Sequence, residues 1–185
     1  MSFRAFISVD LPTMPNVVEL AEQLRRAGDS LKVVHAERLH LTLKFLGDTQ
    51  EGLVPEIIGI VHEACAGVAP FAIRVRGTGA FPSLSRMNVL WVGTEGAEPL
   101  VRIAGILDDK MEALGYEREG RPWTAHVTLA RVKGRRGLDL ARDILVAHRE
   151  DVFGEVSVEE VRLKKSVLTP QGPVYSTVDA VRLGA

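Results

Sequence analysis

Apolar positions along this chain switch repeatedly between a period of two and a period near 3.6, and the switches divide it into alternating strands and helices. Phe3 to Val9 reads as a β-rich run that stops at Asp10-Leu11-Pro12. Val17, Leu20, Ala21 and Leu24 then recur at helical spacing, with Thr13 placed to cap the helix, Pro15 in its first turn and Gly28 at its end. A strand is expected at His40–Leu46, closed by Gly47-Asp48. Ile57, Ile60, Val61 and Ala64 mark a second helix, and Phe71, Ile73 and Val75 alternate as a strand. The second half follows the same order. Val89–Val92 is a strand, and Leu100, Ile103, Ala104, Leu107, Met111 and Leu114 form a long helical stripe stopped by Gly115. His126–Val132 is a strand, Leu140, Ile144 and Leu145 belong to a helix, and Val156–Leu163 reads as one strand. A final strand from Val174 to Val181 follows the Pro170-Gln171-Gly172-Pro173 turn.

A shift of 86 positions superimposes these elements: residues 3–9 fall on 89–95, the first helix on the third, and 71–77 on 157–163. Side chains differ between the halves, so what repeats is the organisation. It predicts an α+β protein of two similar lobes, 1–86 and 87–170, within one bilobal unit spanning 1–185. The sheets would be mostly antiparallel with outer helices, related by a pseudo-two-fold axis across a central cleft, with strands exchanged between lobes.

The same shift lays His40-Leu41-Thr42-Leu43 on His126-Val127-Thr128-Leu129. Five histidines in the chain make two such matches by chance an event on the order of one in several thousand. In a strand, residues i and i+2 share a face, so His40 with Thr42, and His126 with Thr128, would face a cleft while Leu41, Leu43, Val127 and Leu129 enter the core. Two imidazoles and two hydroxyls limit the chemistry. Zinc wants three or four ligands from His, Cys and carboxylate, and threonine is a poor one; neither histidine has a Ser or Cys nucleophile beside it. Acid–base chemistry on a phosphodiester fits, because an imidazole with a pKa of about 6.5 can take or give a proton near neutral pH.

Composition narrows the partners. The 46% hydrophobic fraction argues for a folded globular protein. A formal net charge of −1 argues against a protein that wraps a long nucleic acid, so any such contact should be short and local. The single Cys65 excludes an internal disulfide and multi-cysteine zinc sites and reads as a packed small residue. No apolar run approaches the roughly 20 residues of a membrane span, and the N-terminal run, broken by Arg4 and Asp10, reads as a strand, not a signal peptide. A cytoplasmic protein without metal or other cofactor, acting as a monomer, is the expectation. His62, His148 and His35 read as surface, helix-end and loop residues, and Arg135-Arg136 and Lys164-Lys165 as solvated basic pairs, although either pair could flank a path for an RNA end.

The paired motifs resemble those of the two-histidine phosphoesterase superfamily, and within it the RNA 2',3'-cyclic phosphodiesterase branch historically called 2'-5' RNA ligases. Phe6-Ile7-Ser8-Val9-Asp10-Leu11-Pro12, Leu39 to Gly47, Gly79-Ala80-Phe81-Pro82, Val89-Leu90-Trp91-Val92-Gly93, His126 to Arg131, Ser166 and Gly172-Pro173-Val174-Tyr175 also resemble that branch, so the likeness covers almost the whole chain. The resemblance implies hydrolysis of a terminal 2',3'-cyclic phosphate on RNA, or on a nucleoside 2',3'-cyclic phosphate, to a 2'-phosphomonoester. It makes His40 the proton donor and His126 the proton acceptor, with Thr42 and Thr128 holding the phosphate. It also links Arg131 to phosphate, although strict alternation puts Arg131 on the face opposite His126 unless a bulge or the strand's end intervenes. Such proteins often carry an aromatic residue before the first motif, where this chain has Val33-Val34-His35; Phe45, Phe81 or Trp123 would then supply base stacking. Two other readings stay open: a non-catalytic binder of phosphorylated nucleotide or RNA ends, and 2'-5' ligation as the reverse reaction.

Overall fold

A computed structural model describes residues 1–185. Nine strands and four helices follow in the order β1 (Ser2–Asp10), α1 (Pro15–Arg26), β2 (Leu31–Val33), β3 (His40–Gln50), α2 (Val54–Cys65), β4 (Phe71–Ser83), β5 (Arg86–Glu95), α3 (Glu98–Met111), β6 (His126–Val132), α4 (Leu138–Ala147), β7 (Val152–Val158), β8 (Glu160–Thr169) and β9 (Gly172–Arg182). They form two antiparallel sheets, one of four strands in the order β3-β1-β8-β9 and one of five in the order β2-β6-β5-β4-β7. The α+β class and its antiparallel sheets are therefore as expected.

The topology crosses the two halves. β8, from the second half, pairs with β1, while β4, from the first, pairs with β5. The helices cross too: α1 and α4 lie on the five-stranded sheet, α2 and α3 on the four-stranded one. Helices α1 and α3 bury the stripes that their periodicity marks, Val17, Leu20, Ala21 and Leu24 in α1 and Leu100, Ile103, Ala104, Leu107 and Met111 in α3. Helix α2 buries Ile57, Val61 and Ala64 with Ile60 half-buried, whereas in α4 Leu140 is exposed and Ala141 is buried beside Leu145. β1 lies between β3 and β8, and Ala5 to Val9 are all buried, which explains why its apolar residues do not alternate with exposed polar ones; Ser8, the one polar residue among them, is buried as well. One apolar cluster runs from Phe3 to Leu183 and joins both sheets.

Three local expectations are corrected. Helix α1 begins after Met14 with no side-chain cap, so Thr13 does not cap it; Pro15, which has no N–H to satisfy, opens the first turn instead. Val156–Leu163 is two strands, since the chain leaves β7 at Val158 and enters β8 in the other sheet at Glu160; buried Val156 and Val158 give way to buried Val161 and Leu163, so the alternation slips by one residue at Glu159-Glu160. Lys164 is not a solvated residue: it is 8% exposed and donates from Nζ to Asp10 Oδ2 at 2.7 Å.

A second buried cation ties α3 to β3. Lys44 has a side chain 1% exposed, donates to Asp108 Oδ1 at 2.7 Å, and also donates to the Glu117 carbonyl. Removing one partner of such a pair strands a charge in a poorly solvated site. Asp108→Ala is expected to lower the unfolding free energy by about 3 kcal/mol, and Lys44→Met to cost less because the carboxylate it leaves is partly exposed and keeps the Glu119 N–H and the Arg118 guanidinium. Denaturant titration checks both, and an Asp108→Ala protein as stable as the parent contradicts the assignment.

Candidate functional site

The two His-x-Thr-Leu strands belong to different sheets and approach each other where the sheets meet. Between them lies a cavity of about 270 Å³, lined by His40 and Thr42 from β3, by His126, Thr128 and Arg131 from β6, by Lys32, Val33, Val34, His35 and Arg38, and by Leu168, Gln171, Pro173 and Tyr175 of the β8–β9 hairpin. Two larger hollows, beside Asp10 and Arg182 and beside Asp108 and Trp123, contain neither histidine.

Both imidazoles are oriented alike. The His40 Nδ1–H donates to the Arg38 carbonyl at 3.0 Å, and the His126 Nδ1–H donates to the Thr124 carbonyl at 2.8 Å, in each case the residue two positions earlier. A carbonyl only accepts, so each bond fixes the hydrogen on Nδ1 and leaves Nε2 as the proton-exchanging nitrogen. Aromatic rings hold the imidazoles in place. His40 packs in a cluster of three rings, against Phe6 at 5.0 Å and edge-on to Tyr175 at 5.3 Å. His126 meets Phe81 edge-on at 4.9 Å, and Phe81 packs on Trp91 at 5.4 Å. Gly79 is required beneath this stack, since a Cβ there would lie 2.3 Å from the Trp91 ring.

Arg131 reaches the cavity through a bulge. In the β5–β6 ladder, Leu90 pairs with Ala130 and Trp91 with Thr128, so the register skips one residue, and Leu129 and Ala130 both point inward. The phase of the strand changes there, returning Arg131 to the face of His126 and Thr128. β3 has the matching step, where Ile7 pairs with Lys44 and Ser8 with Thr42. This step turns Lys44 into the core and Phe45 outward, beneath Arg4 at 5.5 Å and away from the histidines. The stacking expectations need correction accordingly. Phe45 lines a separate hollow, and Trp123 donates from Nε1 to the Thr42 carbonyl at 2.8 Å from behind the strand. Phe81 alone of the three stands beside a histidine. His35, read as a loop residue, lines the cavity just before the short 3₁₀ turn Ala36–Arg38. Tyr175, whose contact with His40 no local pattern in the sequence marks, completes the wall.

The lining carries Lys32, Arg38 and Arg131 and no carboxylate, which suits an anion. Burial lowers both imidazole pKa values, and each ring has its own set of neighbours acting on it. At His40 the Arg38 carbonyl and the Asp10 carboxylate oppose the lowering, with Lys164 adding to it. At His126 the Thr124 carbonyl opposes it, and the Arg131 guanidinium adds to it. Asp10 is the cross-strand partner of His40 and accepts from Lys164 at 2.7 Å and Arg162 at 2.8 Å. Burial acts to raise its carboxyl pKa, but the bond and charge of Lys164 win, so it stays ionised. A carboxylate thus favours imidazolium at position 40, and a guanidinium disfavours it at position 126.

The sequence matches the family described as the 2'-5' RNA ligase superfamily over residues 13–167. A relative from Methanothermobacter thermautotrophicus is 36% identical, covering 99% of this chain and 100% of that protein, and one from Aquifex aeolicus is 33% identical, covering 98% and 97%; both are named RNA 2',3'-cyclic phosphodiesterase. A crystal structure of a Thermus thermophilus protein is similar at a TM-score of 0.78, with 33% identity over 97% of each chain. E. coli LigT, solved in complex with 3'-AMP, shares the fold at a TM-score of 0.74, with 22% identity over 100% of each chain.

The electrostatic asymmetry can be read directly by NMR titration of the two imidazoles. Asp10→Asn is expected to lower the pKa of His40 and leave that of His126 in place. Arg131→Gln is expected to raise the pKa of His126. Equal movement of both rings in either variant contradicts the assigned neighbours.

Proposed function

The chain belongs to the 2'-5' RNA ligase superfamily, and we propose that it hydrolyses a terminal 2',3'-cyclic phosphate on RNA to a 2'-phosphomonoester, with His40 as proton donor and His126 as proton acceptor. The observation that carries this reading is the meeting of both His-x-Thr-Leu faces in one cationic cavity. Relatives named for this activity match over nearly the whole chain.

In this mechanism the neutral Nε2 of His126 takes a proton from water as the oxygen attacks phosphorus. The bond from phosphorus to the 3' oxygen breaks, and protonated His40 gives its Nε2 proton to that oxygen. Thr42 and Thr128 hydroxyls and the Arg131 guanidinium donate to the non-bridging oxygens, where charge builds in the transition state. Each cycle leaves His40 neutral and His126 protonated, and exchange with solvent resets them. The family resemblance supplies the donor and acceptor roles. Asp10 beside His40 and Arg131 beside His126 support the same order, since they favour imidazolium at position 40 relative to position 126.

Every group in this mechanism comes from one chain, and none of the steps uses a metal or another cofactor, so we assign the activity to the monomer. No helix is long and apolar enough to cross a membrane, and with the buried free thiol of Cys65 we assign the activity to a reducing cytoplasm.

The test is turnover of a 2',3'-cyclic-ended oligoribonucleotide in excess EDTA, with the product resolved as 2'- or 3'-phosphate. The expected result is a 2'-phosphate and full activity with chelator. His40→Ala and His126→Ala should each cost roughly 10²-fold or more in kcat with the fold intact. A 3'-phosphate product, metal-dependent turnover, or parental activity in either variant contradicts the proposal.

A further inference from the structure

The cationic wall of the cavity continues beyond it. Lys32 on β2 pairs in register with Arg131 on β6, and the chain runs on from Val132 into Lys133, Arg135 and Arg136, all exposed. That segment is fixed against the turn before β2: Lys133 N–H donates to the Ser30 carbonyl at 2.8 Å, Gly134 N–H to the same oxygen at 3.2 Å, and Gly137 lies over the Ala27 carbonyl. Elsewhere many of the chain's cations are neutralised by neighbours, as in the Arg74, Arg76 and Glu95 cluster and around Arg118. Lys32, Arg131, Lys133, Arg135 and Arg136 form no ion pair. The nearby carboxylates are few: Asp29 in the same turn, Glu22 held by Arg25, and Asp139 held by Arg142.

The opposite wall is different. Leu168, Pro173 and Tyr175 of the β8–β9 hairpin present apolar and aromatic surface with no charge. A nucleotide has the same two-sidedness, a flat apolar base on one side and an anionic phosphate chain on the other. In a protein of net charge −1, a fixed row of unpaired cations leading out of an anion cavity fits a short polyanionic strand.

We infer that the segment Lys133–Arg136, continuing from Lys32 and Arg131, is a binding track for the single-stranded RNA leading to the cyclic end, whose phosphates pass over the β2–β6 edge while the terminal base faces the hairpin. The track deepens the proposed hydrolase function and rests on it. It makes an RNA end a better substrate than a mononucleotide, and it confines that advantage to low salt.

The experiment compares the parent with the triple variant Lys133→Ala, Arg135→Ala, Arg136→Ala. The substrates are a nucleoside 2',3'-cyclic phosphate and a short oligoribonucleotide ending in the same group, each followed across a salt series. The mononucleotide arm reports on the hydrolase function alone, because the three side chains lie outside the cavity, and its kcat/KM is expected to stay at the parental value. On the oligonucleotide, kcat/KM is expected to fall about tenfold at low salt, and the log–log salt dependence to become shallower by about two, at roughly 0.7 per phosphate contact. A variant with Lys133→Arg, Arg135→Lys and Arg136→Lys should keep the parental slope. Unchanged oligonucleotide turnover and slope in the alanine variant overturn the track, and so does an equal fall on both substrates. Loss of mononucleotide turnover in the parent would instead contradict the hydrolase function.

Discussion

Antiparallel pairing across the two halves of the sequence is the constraint on which the cleft depends. β8 hydrogen-bonds to β1 and β4 to β5, and each half contributes two strands to the sheet built on the other, β8 and β9 to one and β2 and β4 to the other. β3 and β6, which carry the histidines, are thereby held in separate sheets that meet along one seam. The exposed faces of both strands look into the same 270 Å³ hollow while their leucines enter a common core. An imidazole gains nothing from this arrangement unless its ring is also fixed, and the carbonyls of Arg38 and Thr124 do that by holding Nδ1. The backbone of each motif thus positions its own histidine.

Within that symmetric frame the charges are unequal. His40 has Asp10 as its cross-strand neighbour, and Asp10 is anchored by Lys164 and Arg162. His126 has Arg131 and no carboxylate. Two equivalent histidines could each serve as acid or base; in the proposed mechanism the carboxylate beside His40 favours the acid there and the guanidinium beside His126 favours the base.

Much of this was legible in the sequence, and the illegible parts have physical causes. Helical stripes such as Leu100 to Met111 and the doubled His-x-Thr-Leu are local patterns, set by side-chain periodicity alone. The bulge at Leu129–Ala130 is not local. It exists only relative to β5, so alternation along β6 places Arg131 on the wrong face. Lys164 read as solvated because its partner Asp10 lies 154 residues away in the chain. The break between β7 and β8 shows only as a one-residue slip of alternation at Glu159-Glu160, which a bulge within a single strand would also give. Tyr175 belongs to the Gly172-Pro173-Val174-Tyr175 stretch of family resemblance, but it reaches His40 only once β9 has folded back along β8.

The account stands on one geometric idea, that acid and base address a single phosphorus from opposite walls, so that attack and departure lie in line. The stereochemical course at phosphorus measures this most directly. A 2',3'-cyclic phosphorothioate of known configuration, opened in ¹⁸O-labelled water, should give product with inverted configuration. Retention would mean two successive displacements through a covalent enzyme intermediate, and would contradict the two-imidazole mechanism.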